Sequence, residues 1–226
     1  MQNKDAQLYY PRDLGWKKEA VVHLIIAVDH EGQRLHRFIE KIEQIFEESL
    51  EVDLHLVIVH SGKSGLDIER ILQGTSLQKY KIKQLEGEFS WTRAINSGVR
   101  LVEDSQGIVV TSDVHMYLQA SIFEDCRKHC IEGKMTFAPV FYGLDCGAYP
   151  KKPKGSWHNH GYQMIGMFKK DWERIGGLDE GVNDHLAAWD LVDRILSNGL
   201  HVARMKRANL FRLFDPESRK SQAWRN

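Results

Sequence analysis

Three nearly unbroken apolar runs constrain this chain more than any other feature: VVHLIIAV at 21–28, VDLHLVIV at 52–59 and Ile108-Val109-Val110. A strand that is apolar on both faces must be covered on both faces, which is the pattern of central strands in a parallel sheet flanked by helices. Between the first two runs, Leu35, Phe38, Ile39, Ile42, Ile45 and Phe46 recur at a 3.6-residue period, which predicts an amphipathic helix over 35–50. A strand, a helix and a second strand in that order make the crossover that joins parallel neighbours. The pattern continues with a short helix at 66–72, a strand at 80–85 and a helix at 92–102 that turns Ala94, Ile95, Val99 and Val102 inward. The second half is mixed. A helix over 121–131 carries Ile122, Phe123, Cys126 and Cys130 on one face, and a strand follows at 134–140. Residues 143–160, rich in Gly, Pro, Lys and aromatics, are expected to form a long functional loop. A strand at 164–168, helices at 169–175 and 187–197, and strands at 202–205 and 209–214 complete the pattern. The expectation is one α/β domain over 21–215, with a mostly parallel open sheet and a mixed C-terminal part. An arm over 1–20 and a polar tail over 216–226 flank it.

The balance of charge excludes some functions. Lys plus Arg and Asp plus Glu each number 31, so the net charge is zero, which argues against nucleic acid or an anionic membrane as the partner. No segment is apolar over the length of a membrane span, and the first 20 residues lack the apolar core of a signal peptide. The chain reads as soluble, or as a domain of a longer protein with its targeting segment elsewhere. Cys126, Cys130 and Cys146 contain no CxxC pair; a Cys130–Cys146 bridge is permitted but not required. The stretch Ser61-Gly62-Lys63-Ser64-Gly65 lacks the full phosphate-loop pattern, and Asp29-His30-Glu31-Gly32 lacks GxGxxG, which sets aside a dinucleotide-dependent oxidoreductase.

The stretch that points to chemistry is GIVVTSDVHMY, 107–117. The buried run stops at Asp113-Val114-His115, and residues two apart in extended chain share a side. An Asp and a His at the C-terminal end of a buried strand lie where open α/β sheets bind ligands. Together they are candidate ligands for a divalent metal, and a metal there would hold a diphosphate. The bland alternative is a strand end with a capping Asp and a half-exposed His.

Three further stretches carry a family resemblance: GEFSWTRAINSGV (87–99), VVTSDVHMYLQASIFEDCRKHCIEGKMTFAPV (109–140), and GYQMIGMFKKDWERIGG (161–177) with WDLVDRILSNGLHVAR (189–204). In that order the chain resembles the catalytic domain of the chondroitin and β-1,4-N-acetylgalactosaminyltransferases, most of all the β-1,4-N-acetylgalactosaminyltransferase 3 and 4 type, over about residues 21–224. The resemblance implies a GT-A glycosyltransferase fold, an inverting reaction, a UDP-GalNAc donor, a glycan acceptor and Mn²⁺. It also implies the Golgi lumen for a protein anchored outside this chain. By the same similarity Asp113 and His115 stand for the family's metal motif, with His115 as ligand and Asp113 near the donor's ribose or sugar. Asp29 and Ser61 fall where the family contacts the nucleoside, and Phe89, Arg93 and Asn96 match a segment lining the donor site. Arg93 suits a diphosphate, because its guanidinium fork matches phosphate oxygens. Trp157 and Tyr162 are candidates for a face on which a sugar stacks.

The chain departs from the family at two places. The family's acidic WGGED segment, which supplies the base, is replaced by Asp184-His185-Leu186-Ala187-Ala188-Trp189, with Ala187 and Ala188 on the acidic positions. Neither alanine accepts a proton, so the base candidates become Asp184, then Asp190, then Glu180. The second departure is Asp215, which stands where the family has its last metal-binding His; a carboxylate suits a hard cation. Asp113, His115 and Asp215 are therefore the expected metal set. The alternative is a catalytically degenerate fold kept as a binding or scaffolding domain with protein partners.

Overall fold

The computed structural model describes residues 17–215, apart from 31, 50–52 and 64–66. The expected N-terminal arm up to residue 16 and the whole polar tail lie outside the described residues. The first half alternates as expected: β1 (Val22–Val28), α1 (Gly32–Ser49), β2 (Leu54–His60), α2 (Ile68–Gln73), β3 (Tyr80–Gln84), α3 (Trp91–Arg100) and β4 (Ile108–Ser112). The second half comprises β5 (Met116–Tyr117), α4 (Ser121–His129), β6 (Met135–Phe137), β7 (Val140–Leu144), β8 (Gly155–Trp157) and β9 (Ile165–Phe168). It ends with α5 (Lys169–Ile175), α6 (Ala187–Ser197), β10 (His201–Ala203) and β11 (Lys206–Arg212).

Seven strands form one sheet in the order β10-β6-β9-β4-β1-β2-β3. The run β4-β1-β2-β3 is parallel, and β9 is antiparallel to both of its neighbours. The period-two alternation of β1 divides the core. Val22, Leu24, Ile26 and Val28 join the stripe Leu35, Phe38, Ile39, Ile42 and Ile45 of α1 and Phe123 of α4, whereas Ile25 joins Ile95 and Val99 of α3 and Leu191 and Ile195 of α6. The sheet is thus covered on both faces, and each large side chain so buried contributes about 1.5–3 kcal/mol. Helix α3 lies close to the sheet because Gly98 lets it: a Cβ there would stand 2.6 Å from a methyl of Ile25. Helix α5 stops at Gly176, whose φ of 80° is left-handed.

The second half corrects the sequence expectation. The single strand expected at 134–140 is two strands, β6 in the large sheet and β7 in a second sheet of order β5-β11-β7-β8. Pro139 lies between them, and a proline has no N–H to continue a ladder. The long loop expected at 143–160 contains β8, paired antiparallel to β7. The two last strands divide between the sheets, β10 beside β6 and β11 between β5 and β7. All three cysteines are free, with Cys126 and Cys130 buried and Cys146 exposed, so the permitted Cys130–Cys146 bridge is not made.

Candidate functional site

After β1 the chain builds outward to β2 and β3, then returns to place β4 on the other side of β1. Such a reversal opens a crevice at the carboxyl ends of the two strands, which is where open α/β sheets take their ligands. Asp29 follows β1 directly, Ser61 follows β2, and Asp113 and His115 follow β4. The small sheet delivers the last member: Arg212 pairs with Met116, and the N–H of Leu213 donates to the carbonyl of His115 at 2.8 Å. This ladder carries Asp215, about 100 residues downstream in the chain, to the side of His115.

The resulting cluster is buried, with His115 and Asp215 each 7% exposed. Asp113 Oδ1 accepts from both the backbone N–H of His115 at 2.6 Å and its ring Nδ1 at 2.5 Å. Burial by itself would raise the Asp113 carboxyl, but the hydrogen bonds it accepts from His115, helped by Arg212 Nε 3.5 Å away, outweigh it and hold the group down at about 2. Asp113 is therefore a carboxylate, and the Nδ1 proton points at it. The other ring nitrogen, Nε2, lies 2.7 Å from Arg34 Nη1. A guanidinium only donates, so Nε2 offers its lone pair. The second nitrogen of Arg34 donates to Asp215 Oδ1 at 2.9 Å, and Asp215 Oδ2 lies 3.4 Å from Nε2.

The structure brings the three residues of the expected metal set together, each in a different placement. Asp113 is turned to the far side of the ring, where it orients the imidazole in the manner of a carboxylate behind a metal-binding histidine. Among the described residues, no group of three or more His, Cys, Asp or Glu side chains is arranged to hold a metal ion. What remains is a pair, His115 Nε2 and Asp215. Its 3.4 Å separation matches neighbouring ligands of one cation when each bond is about 2.1–2.4 Å. Hard divalent cations are commonly held by one or two protein groups, with waters and substrate phosphates completing the shell, so the pair fits such an ion.

The other expected residues are distributed as follows. Ser61 Oγ donates to the carbonyl of Asp29 at 2.8 Å and accepts from the N–H of Lys63 at 3.2 Å, so Asp29 and Ser61 meet across the β1 and β2 ends. The Asp29 carboxylate lies 3.0 Å from His30 Nε2. Phe89 packs against Val59, Leu85 and Ala94. Arg93 does not extend toward a phosphate: its Nη2 donates to the carbonyls of Glu86, at 3.0 Å, and of Glu88. Asn96 is buried, and its amide donates to Leu178 O at 2.8 Å and Glu180 Oε1 at 3.0 Å while accepting from Leu178 N at 3.0 Å. Both residues fasten loops. Trp157 packs edge-on against Tyr142 at 5.3 Å, with Lys206 over its ring.

The two leading base candidates are also engaged. The Asp184 carboxylate accepts from the N–H groups of Trp91 at 2.8 Å and Thr92 at 3.2 Å, so it caps α3 from a distant loop. Asp190 Oδ2 accepts from Arg194 Nε at 2.9 Å, one turn along α6. Ala187 is buried at the start of α6.

Sequence reasoning missed Arg34, Arg212 and Trp189. Arg34 and Arg212 carried no local signal, because the residues they touch are distant in sequence. Trp189 is 39% exposed, packs edge-on against Tyr162 at 5.0 Å and stacks with His160 at 6.3 Å. An exposed tryptophan held by an aromatic neighbour is the signal that would have preferred it to Trp157 as a sugar platform. Arg204 backs Tyr162 at 4.2 Å. A cavity of about 330 Å³ lined by His23, His55, Lys79 and Asp104 lies at the opposite, N-terminal ends of β1 and β2.

Comparison with known proteins gives this geometry a context. The mannosyltransferase PcManGT of Pyrobaculum calidifontis, solved with GDP-Man and Mn²⁺, matches over 97% of this chain and 64% of its own with a TM-score of 0.66 at 13% identity. Staphylococcus aureus TarS, solved as residues 1–349 with UDP-GlcNAc, matches over 90% of this chain and 62% of its own with a TM-score of 0.64 at 10% identity. These likenesses identify the fold as GT-A. In sequence, the mouse N-acetyl-β-glucosaminyl-glycoprotein 4-β-N-acetylgalactosaminyltransferase 1 is 32% identical over 203 residues, covering 88% of this chain. The chain spans 20% of the length of that relative. The comparisons lend no support to the non-catalytic alternative. The sequence model of the chondroitin N-acetylgalactosaminyltransferases matches residues 14–224, and the chain belongs to that family.

Proposed function

We propose that this domain transfers N-acetylgalactosamine from UDP-GalNAc to a glycan acceptor with inversion, using Mn²⁺ held by His115 and Asp215. The observation that carries this reading is the cluster of the half-buried Asp113 with the buried His115 and Asp215 at the end of β4, at the reversal point of a GT-A sheet. A divalent ion there would neutralise the charge that develops on the departing diphosphate. The chain's own residues do the rest. Asp113 and Arg212 lock the imidazole so that Nε2 faces the crevice. Asp29 and Ser61 frame the nucleoside at the ends of β1 and β2, beside Phe89. Arg93 and Asn96 serve the site at one remove, by holding the loops at 86–88 and 176–180. Trp189 and Tyr162 form the apolar face for a sugar ring, a role the packing of Trp157 leaves to them. Asp190, in the first turn of α6 next to Trp189, takes the proton from the acceptor hydroxyl through Oδ1, while Arg194 holds Oδ2. The same reading extends to the Golgi lumen for a full-length protein with its anchor elsewhere.

Calorimetric titration of UDP into the chain, with and without Mn²⁺, tests the proposal without needing the acceptor. The expected result is binding that depends on Mn²⁺ and falls by at least about tenfold in His115→Ala, a loss of roughly 1.4 kcal/mol. UDP binding that ignores both the metal and the substitution would overturn the assignment of the site. No binding under any condition would instead favour the scaffolding alternative.

A further inference from the structure

Arg34 stands in the first turn of α1, just beyond β1, and its guanidinium bridges the two groups assigned to the metal. One nitrogen sits on the lone pair of His115 Nε2 at 2.7 Å and the other on Asp215 Oδ1 at 2.9 Å. A lone pair serves one partner at a time, so the contact with Arg34 and coordination of a cation exclude each other at Nε2. The fork matches this carboxylate–imidazole pair, and it equally matches the oxygens of a diphosphate. Arg34 is only part-buried, with 35% of its side chain exposed toward solvent, so it has room to leave. His115 and Asp215 are each 9% exposed in their side chains and are held in place by the β5–β11 ladder.

We infer that Arg34 is an internal cation that closes the metal pair until the donor arrives, then transfers its fork to the diphosphate and releases His115 and Asp215 to the ion. This rests on the metal reading above and adds to it a coupling between the two ligands. If nucleotide draws Arg34 away, nucleotide must raise the affinity for the ion, and the ion must raise the affinity for nucleotide by the same factor. A closed pair in the free protein also keeps a buried carboxylate and imidazole partnered when no ion is bound.

The test is Mn²⁺ binding to the full chain, followed by calorimetry and by the electron paramagnetic resonance signal of the free ion, in wild type, Arg34→Met and His115→Ala. Circular dichroism establishes that each is folded, and Arg34→Lys serves as a second variant, since a single ammonium cannot bridge both groups as the fork does. Wild type is expected to bind Mn²⁺ weakly alone and about tenfold or more tightly with UDP present. In Arg34→Met the ion alone binds about tenfold more tightly than in wild type, and the gain from UDP shrinks by about the same factor, to what direct coordination by the phosphates supplies. Arg34→Lys falls between the two. Equal or weaker Mn²⁺ affinity in both Arg34 variants overturns the inference while leaving the metal site standing. Mn²⁺ binding that is unaffected in His115→Ala, or absent from every variant, overturns the metal assignment as well.

Discussion

The chemistry proposed for this site depends on which nitrogen of His115 faces the crevice. Asp113 decides that: as a carboxylate held down at about 2, it accepts from Nδ1 and leaves the lone pair on Nε2, where Arg34 meets it. In the proposed metal pair, the acidic residue of the motif is therefore the one that orients its neighbour. The base is a second single-residue question, because Ala187 and Ala188 cannot serve. Asp190 keeps one oxygen outside its pairing with Arg194. Asp190→Asn is expected to lower the transfer rate by about 10²-fold or more and to leave UDP affinity nearly intact, measured by initial rates beside a UDP titration. Unchanged turnover would move the base to Glu180, whose Oε1 accepts from Asn96.

At the scale of elements, α3 shows how a distant loop supports one wall of the crevice. Its first turn is capped twice, by Ser90 directly before it and by Asp184 from the segment before α6. Orphan N–H groups and the positive end of the helix both favour a carboxylate at that position. Asp184→Ala is expected to cost about 1 kcal/mol of stability, read as a lower denaturant midpoint, with turnover and UDP affinity little changed. A large loss of turnover with stability intact would return Asp184 to the role of base. The small sheet works in the same way at longer range, since β11 against β5 is what sets Asp215 beside His115.

Across the whole molecule, several histidines are buried where a proton is costly. Burial, then the charge of His55, lowers His23 to about 4, and burial, then Arg207, lowers His129 to about 4, both from an ordinary value of 6.5. His55 and His60 are shifted in the same direction by burial. Between pH 6.5 and 4 the unfolded chain binds protons on these rings that the native chain does not, so stability rises with pH across that window and falls on acidification. Denaturant midpoints are expected to drop from pH 7 to pH 5, by on the order of 1–3 kcal/mol in free energy. Replacing His23 or His129 with a neutral side chain of similar size should flatten the profile. Asp125 and Asp171, raised by burial, act in the opposite sense nearer pH 4, which makes pH 7 to 5 the informative range.

The sequence alone determined the layered α/β architecture, because both-face burial and helical period are local properties of the runs at 21–28, 35–50, 52–59 and 108–110. It also singled out Asp113 and His115 as the candidate site, since an abrupt end to a buried strand is visible along the chain. What the tertiary structure decided was who faces whom. The second sheet, the contact of Arg34 with His115 and Asp215, the use of Asp184 as a helix cap and the pairing of Trp189 with Tyr162 join residues tens to hundreds of positions apart. Periodicity carries no information at that range. Hydrogen bonds and charges act over a few ångströms of space rather than along the chain, so the partners of each polar group become defined only once the two sheets are in place.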